Sequence, residues 1–319
     1  MPVGNFSNIR IEILKTSVKI TGVIITLRFK QSGLSVKLNQ RGATMTINKV
    51  WAVYFSATGT TIKVVETIAN TIAQTIGAEY GIIDFTLPSA RVDALHFSSN
   101  ELVIFGTPVY AGRVPNVLLK FLDKTSGNGA LAVPVVLFGN RDYDDALIEL
   151  RDILERGGLH TIAAAAFVGE HSFSYTLAQG RPDNADCGNA GIFAGDVVEK
   201  VNGIVDISGL HPIRVNGTPE PYRGYYQPRD RKGNPVDIRK VKPLTNDDCT
   251  NCLTCAKVCP MGSISYDNVR EYVGICIKCG ACIKKCPVHA KYYEDEAFLY
   301  HKHELEEGLT RRAEPAMFI

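Results

Sequence analysis

The sequence predicts an α/β protein: a doubly wound parallel sheet followed by a small α+β domain organised by cysteine. Two observations carry this. From Lys49 onward, short apolar runs alternate with helix-period segments over about 160 residues, the pattern of strand–helix–strand units. Further on, eight of the nine cysteines lie between Cys249 and Cys286. A proline-rich stretch separates the two regions, so five segments are expected. Residues 1–44 are an N-terminal extension, 45–208 the sheet domain and 209–243 a basic linker. Residues 244–292 are the cysteine domain, and 293–319 a tail, helical and then extended.

The elements follow in order. Ile9 to Phe29 alternates loosely apolar and polar, which predicts two short strands. Residues 1–44 hold seven basic residues and one acid. The run MTINKVWAVYF from Met45 reads as a domain start, so residues 1–44 read either as an upstream extension outside the native protein or as a basic arm that pairs with an acidic surface. Strands are predicted at Val50–Tyr54, Leu102–Phe105, Val133–Phe138 and Ala163–Val168. Helices are predicted at Ile62–Ile76, Val114–Leu122, Ala146–Arg156 and Ala190–Val205. Gly180-Arg181-Pro182-Asp183 is a helix-start signal. The linker holds six prolines and the cluster Tyr222, Tyr225 and Tyr226, which predicts a semi-rigid strap. In the tail, Ala297, Phe298, Leu299, Leu305 and Leu309 predict a helix, with Arg311–Ile319 extended.

Hydrophobic content of 45% and charge of 21% are ordinary for a globular protein. The net charge of +2 is uneven: +6 over residues 1–44, −7 over 45–208, +5 over 209–243 and −2 over 244–319. The basic strap is expected to lie against the acidic sheet domain. No basic patch sits on a recognised nucleic-acid module, and no apolar run reaches transmembrane length. With no signal peptide and many thiols, a cytoplasmic protein is expected.

The cysteines form two copies of C-x2-C-x2-C-x3-C-P. The first is Cys249, Cys252, Cys255, Cys259 and Pro260; the second is Cys276, Cys279, Cys282, Cys286 and Pro287, each cysteine 27 residues after its counterpart. Structural zinc takes C-x2-C pairs set well apart, and disulfides suit a secreted chain, so iron–sulfur ligation is the expected chemistry. Residues 246–292 resemble a bacterial two-cluster ferredoxin domain, and all eight ligand positions match. The resemblance implies two [4Fe-4S] clusters with crossed ligation: Cys249, Cys252, Cys255 and Cys286 hold one, Cys276, Cys279, Cys282 and Cys259 the other. His289, His301 and His303 are then surface residues, and Cys187 has no assigned role.

Three loops at the carboxyl ends of the predicted strands, where such sheets bind ligands, carry further chemistry. Ser56-Ala57-Thr58-Gly59-Thr60-Thr61 joins a strand to a helix N-terminus, which favours a phosphate. It fits neither the triphosphate nor the dinucleotide glycine pattern, and resembles the hydroxyl-rich phosphate loop of flavodoxins, which hold FMN. In the second loop, Thr107, Pro108, Val109, Tyr110, Gly112 and Arg113 match the flavodoxin loop that touches the isoalloxazine, Tyr110 being the stacking ring. In the third, Gly139, Asn140, Arg141 and Tyr143 match the other flavin-flanking loop. Asn140 suits the pyrimidine ring, and Arg141 or Arg113 could offset charge on reduced flavin. His171, in a fourth loop, is either a proton donor or a satisfied loop residue.

From Met45 to Ile319 the chain resembles the flavodoxin–ferredoxin fusion proteins of anaerobic bacteria and archaea, on the strength of these loops and both cysteine runs. The resemblance implies an electron relay between FMN and two clusters, serving redox partners such as ferredoxin or a low-potential reductase. The alternative is an FMN-dependent oxidoreductase acting on a small-molecule acceptor, with the clusters as its internal electron supply.

Overall fold

The computed structural model describes residues 19–20, 23–30, 33–40 and 45–319. The chain divides into two units, Met1–Thr44 and Met45–Ile319. In the first, β1 (Lys19–Ile20), β2 (Val23–Lys30) and β3 (Gly33–Gln40) pair antiparallel, with Val23 opposite Gln40 and Lys30 opposite Gly33. The part of the expected Ile9–Phe29 strands before Lys19 lies outside the described residues.

The second unit begins β4 (Lys49–Tyr54), α1 (Thr60–Ile76), β5 (Glu79–Asp84), β6 (Glu101–Pro108), α2 (Leu119–Leu122), β7 (Leu131–Phe138), α3 (Ala146–Arg156), β8 (His160–Thr161), β9 (Ala164–Val168) and α4 (Asn184–Gly203). It continues with β10 (Leu244–Thr245), α5 (Thr254–Lys257), α6 (Ala281–Lys284), β11 (Lys291–Tyr292), α7 (Glu296–Gly308) and β12 (Ala316–Phe318). The main sheet runs β12-β9-β7-β6-β4-β5, with β8 beside β7. All of its neighbours are parallel except β12, which pairs antiparallel with β9. In chain order the five long parallel strands stand 2-1-3-4-5, the flavodoxin-like doubly wound arrangement.

Burial explains the pattern. Every residue of β7 (LAVPVVLF) and β9 (AAAFV) is buried, as a central parallel strand covered on both faces requires. One face packs under α1 and α4 through Ile68, Ile72, Phe193 and Val197; the other packs on Leu118, Leu122, Leu147 and Leu150. Each such side chain contributes roughly 1.5–3 kcal/mol by leaving water.

Several boundaries differ from expectation. The helix predicted at Val114–Leu122 shrinks to a 3-10 turn at Asn116–Leu118 and the four residues of α2. Val114 cannot start it, because its N–H donates to Glu149 and its carbonyl accepts from the Tyr225 hydroxyl. α4 starts six residues before Ala190, at Asn184. Asp183 accepts from the N–H groups of Ala185 and Asp186, and Asp186 accepts from that of Asp183, a reciprocal cap that offsets the polar, glycine-containing first turns. β5 was not expected. It is an edge strand containing Gly81, where an added Cβ would come within 2.5 Å of the Trp51 ring.

The chain does not stay in two consecutive lobes. The strap crosses the sheet domain: Tyr222 donates to Asp152, Arg223 pairs with Asp145, and the N–H of Tyr226 reaches the Ala111 carbonyl. After the cysteine segment, α7 and the tail return. Arg181 pairs with Asp186 at 2.5 Å and also donates to the Ala313 carbonyl, and β12 closes the sheet edge.

Candidate functional site

The loops singled out from sequence gather at the carboxyl edge of the sheet. After β4, the N–H of Ser56 donates to Thr86 Oγ1 at 2.8 Å, and Ser56 Oγ accepts from Ile62 N–H at 3.1 Å. Gly59, at φ +95°, occupies the N-cap of α1 and brings no side chain there, and the first turn has no acid. The N-terminal N–H groups of α1 therefore face a hydroxyl-lined loop with no built-in anion. The buried hydroxyls of Thr61 and Thr107 have no hydrogen-bond partner among the described residues. This donor set fits a phosphate monoester.

A cleft of about 850 Å3, within the range of small-molecule sites, opens among the loops that follow the neighbouring strands; no residue of Ser56–Thr61 lines it. Val109, Tyr110, Gly112, Gly139, Arg141 and His171 are part of its lining. Tyr110 and Arg113 exchange backbone hydrogen bonds at 2.9 and 3.1 Å, making a tight turn. Burial, then the neighbouring Cys279 and Cys276, push the Tyr110 phenol well above its ordinary range, so it stays protonated. The His171 ring lies against Gly139 and edge-on to Phe173; its Nδ1 accepts from Phe173 N–H at 3.1 Å, which leaves the proton on Nε2. Burial, with the Lys284 charge, lowers this imidazole to about 4, so it is neutral near pH 7 and suited to donating a hydrogen bond rather than delivering a proton.

Three side chains expected at the flavin are committed elsewhere. Arg113 is bidentate to Glu149 at 2.8 and 2.6 Å and lies over the rings of Tyr222 and Tyr225. Asn140 gives its amide to the carbonyls of Leu309 and Arg311 and accepts from Ala313 N–H, so its pyrimidine-binding capacity is spent on the tail. Tyr143 packs on Phe138 at 5.6 Å, among the core residues. Arg141 lines the cleft but is paired with Asp144 and stacked on Tyr226. His301, expected at the surface, is 4% exposed and stacks on Tyr226 at 5.7 Å.

The rest of the lining was not expected from sequence. It is made by the strap (Tyr225, Tyr226, Ile238, Arg239), by α7 (His301, Leu305), and by Ile275, Cys276, Ile277 and Lys278 of the second cysteine run. The tyrosine cluster of the strap was the one available signal. The run is fixed there by close contacts. Gly280, at φ +73°, sits where a Cβ would come within 2.4 Å of the Ser172 carbonyl oxygen. Lys284 reaches Glu170 and the carbonyls of His171 and Ser174. Arg91 ties the Phe85 and Thr86 carbonyls to that of Pro260.

One of the two expected thiol sets lies together: Cys259, Cys276, Cys279 and Cys282 line one cavity with Tyr272 and Tyr293. Cys276 also faces the cleft, so this is the proximal set. Cys249, Cys252, Cys255 and Cys286 are the other expected set, the distal one; Cys252 is exposed, whereas Cys255 and Cys286 are buried. Burial pushes the Cys279 thiol up to about 12 and Cys282 higher still, so these sulfurs ionise only beside a cation. Ser263 N–H donates to Cys259 Sγ and Ala290 N–H to Cys286 Sγ, both at 3.3 Å. No three His, Cys, Asp or Glu side chains among the described residues converge on one metal ion. Thiols spread around a larger space fit a cluster, where each sulfur takes a different iron.

Comparison with known proteins agrees with both halves. A flavodoxin domain family matches residues 52–139, and a 4Fe-4S dicluster domain family matches residues 248–292. No curated protein matches the chain. Among solved structures, a flavodoxin from the domain Archaea is 18% identical over 48% of this chain and 98% of its own, with TM-score 0.35. A flavodoxin of Streptococcus pneumonia TIGR4 is 19% identical over 48% and 99%, with TM-score 0.33. A Fusobacterium nucleatum flavodoxin variant bound to flavin mononucleotide is 15% identical over 50% and 97%, also with TM-score 0.33.

Proposed function

Because the chain has a flavodoxin–ferredoxin fusion architecture, with FMN implied by one part and two [4Fe-4S] clusters by the other, we propose that it is a single-chain electron relay serving redox protein partners. FMN exchanges electrons singly or in pairs and each cluster exchanges one, so the combination splits a pair or gathers single electrons. A flavin and iron–sulfur electron-transfer role follows from the two domains; the route and the partners are our reading.

One observation carries it. The cleft that suits a flavin ring is lined by Tyr110, Gly139 and His171 and also by Cys276 of the proximal thiol set. Gly280 packed on Ser172, with the Lys284 and Arg91 ties, holds these two parts of the lining in fixed register. Tyr110 lines the cleft and packs near Cys279 and Cys276, and its buried phenol carries no charge there. The strap tyrosines and His301 narrow access for water. The exposed Cys252 supports exchange with a protein partner at the distal set, and a ferredoxin or a low-potential reductase is the class we assign. Free thiols in both runs favour a reducing compartment, which we take to be the cytoplasm. Among the described residues no helix is long and apolar enough to cross a membrane.

The test is an anaerobic preparation assayed for FMN, iron and sulfide, with spectra of Cys252→Ser and Cys279→Ser. Each variant is expected to lose one cluster and keep FMN. Absence of both flavin bands and the cluster shoulder from the parent protein would falsify the relay. Turnover of a small acceptor without any protein partner would favour the oxidoreductase alternative, which the size of the cleft permits.

A further inference from the structure

The two cysteine runs are copies, and the structure keeps the copy to single backbone positions. Counterparts Leu253 and Gly280 share positive φ, as do Asn251 and Lys278, and Gly262 and His289. Ser263 and Ala290, also counterparts, each donate to the last sulfur of their own run at 3.3 Å. The next pair breaks the copy: Ile264 in the first run, Lys291 in the second. Both are buried, at 2% and 3% exposure. Ile264 lines the cavity of the proximal thiols. By the repeat, Lys291 stands in the same relation to the distal thiols, Cys286 with Cys249, Cys252 and Cys255.

An ammonium in that position costs free energy unless negative charge meets it. Lys291 Nζ donates to the Val269 carbonyl at 2.5 Å and lies 5.3 Å from the Tyr272 ring centroid. No carboxylate forms an ion pair with it among the described residues. Val269 and Tyr272 belong to the small core that also holds Cys255 and Cys282. At Cys255 the Lys291 charge is the strongest influence after burial; at Cys282 the neighbouring thiols come ahead of it. The negative charge that matches Lys291 is then that of a thiolate-bound cluster, and the repeat makes it the distal one.

We propose that Lys291 is a fixed counter-charge for the distal cluster, raising its reduction potential above that of the proximal cluster, so that an electron shared by the pair rests on the solvent-facing side. The proposal rests on the relay reading. Each cluster gains or loses one electron with no bond made or broken. Reduction adds a negative charge, which the ammonium favours. Within the chain this sets the downhill direction from the cleft toward the exposed Cys252.

The test is an anaerobic redox titration of the holoprotein with dithionite, followed by electron paramagnetic resonance, on the parent and on Lys291→Ile, Lys291→Met and Lys291→Arg. Iron and sulfide counts on each sample report separately on the relay reading. The couple lost in Cys252→Ala identifies the distal cluster. The two neutral variants are expected to lower the distal couple more than the proximal one and to narrow or invert the gap, while Lys291→Arg keeps it. Loss of the distal cluster in both neutral variants but not in Lys291→Arg also supports a charge role. Unchanged couples with full iron, equal shifts in both couples, or cluster loss in all three variants would overturn it.

Discussion

Burial, reinforced by Lys284 and His301 and opposed by Glu306, brings the His171 imidazole down from 6.5 to about 4. In the unfolded chain the ring titrates at its ordinary value, so between about 6.5 and about 4 the unfolded state binds more protons. Stability from this group is present above that window and is lost as pH falls through it, by roughly 3 kcal/mol in all. Denaturant midpoints measured across the window should drop less steeply in His171→Gln. His301, also lowered by burial, gives a slope of the same sign that remains. Asp145 gives a slope of the same sign at lower pH. Burial works against its charge, but the Arg223 guanidinium and the N–H groups of Thr218 and Arg223 bring its carboxyl down to about 2. Its folded value is depressed, so its contribution is present above about 3.8 and disappears as pH falls toward about 2. Asp145→Ala should cost about 1.5–3 kcal/mol at neutral pH, the range for hydrogen bonds to a charged group, and open the strap to limited proteolysis. Residue chemistry was legible where type alone decides, as at the eight cysteines. It was not legible at Arg113 and Asn140, because their partners, Glu149 and the carbonyls of Leu309 and Arg311, are distant in sequence.

At the level of elements, the strap and tail do more than join. The segment after α7 supplies the acceptors for Asn140 and Arg181 and the strand that covers β9. Removing residues 309–319 leaves Asn140 and Arg181 partly unpaired in buried positions. Each orphaned group should cost about 1–3 kcal/mol, and thermal melting should reveal the sum as a lower midpoint. The second cysteine run makes the tightest approach, Gly280 on Ser172. Gly280→Val is expected to lift this run off the cleft wall, visible as increased hydrogen exchange in residues 170–176 with the main sheet unaffected. The strand–helix alternation was readable because central strands must be apolar on both faces and α1 shows a clean helical face. β12 was readable only as extended chain within Arg311–Ile319; its place in the sheet was not, since three residues gain a strand's identity only from the edge they complete.

For the whole molecule, sequence order suggests a flavin half, a linker and a cluster half, yet the strap, α7 and the tail fold back so that both halves share one cleft. Local pattern cannot report such a return, because it is set by contacts between Lys284 and Glu170, Arg91 and Pro260, and Arg223 and Asp145. The consequence is a predicted order: flavin site, proximal thiols, distal thiols, partner. The most direct measurement photoreduces the flavin of the anaerobic holoprotein and follows cluster bleaching in Cys252→Ala and Cys279→Ala, each holding one cluster. The account predicts fast bleaching, independent of protein concentration, in Cys252→Ala, where the proximal cluster remains, and much slower bleaching in Cys279→Ala. The reverse order, or a rate in Cys252→Ala that rises with protein concentration, would contradict it.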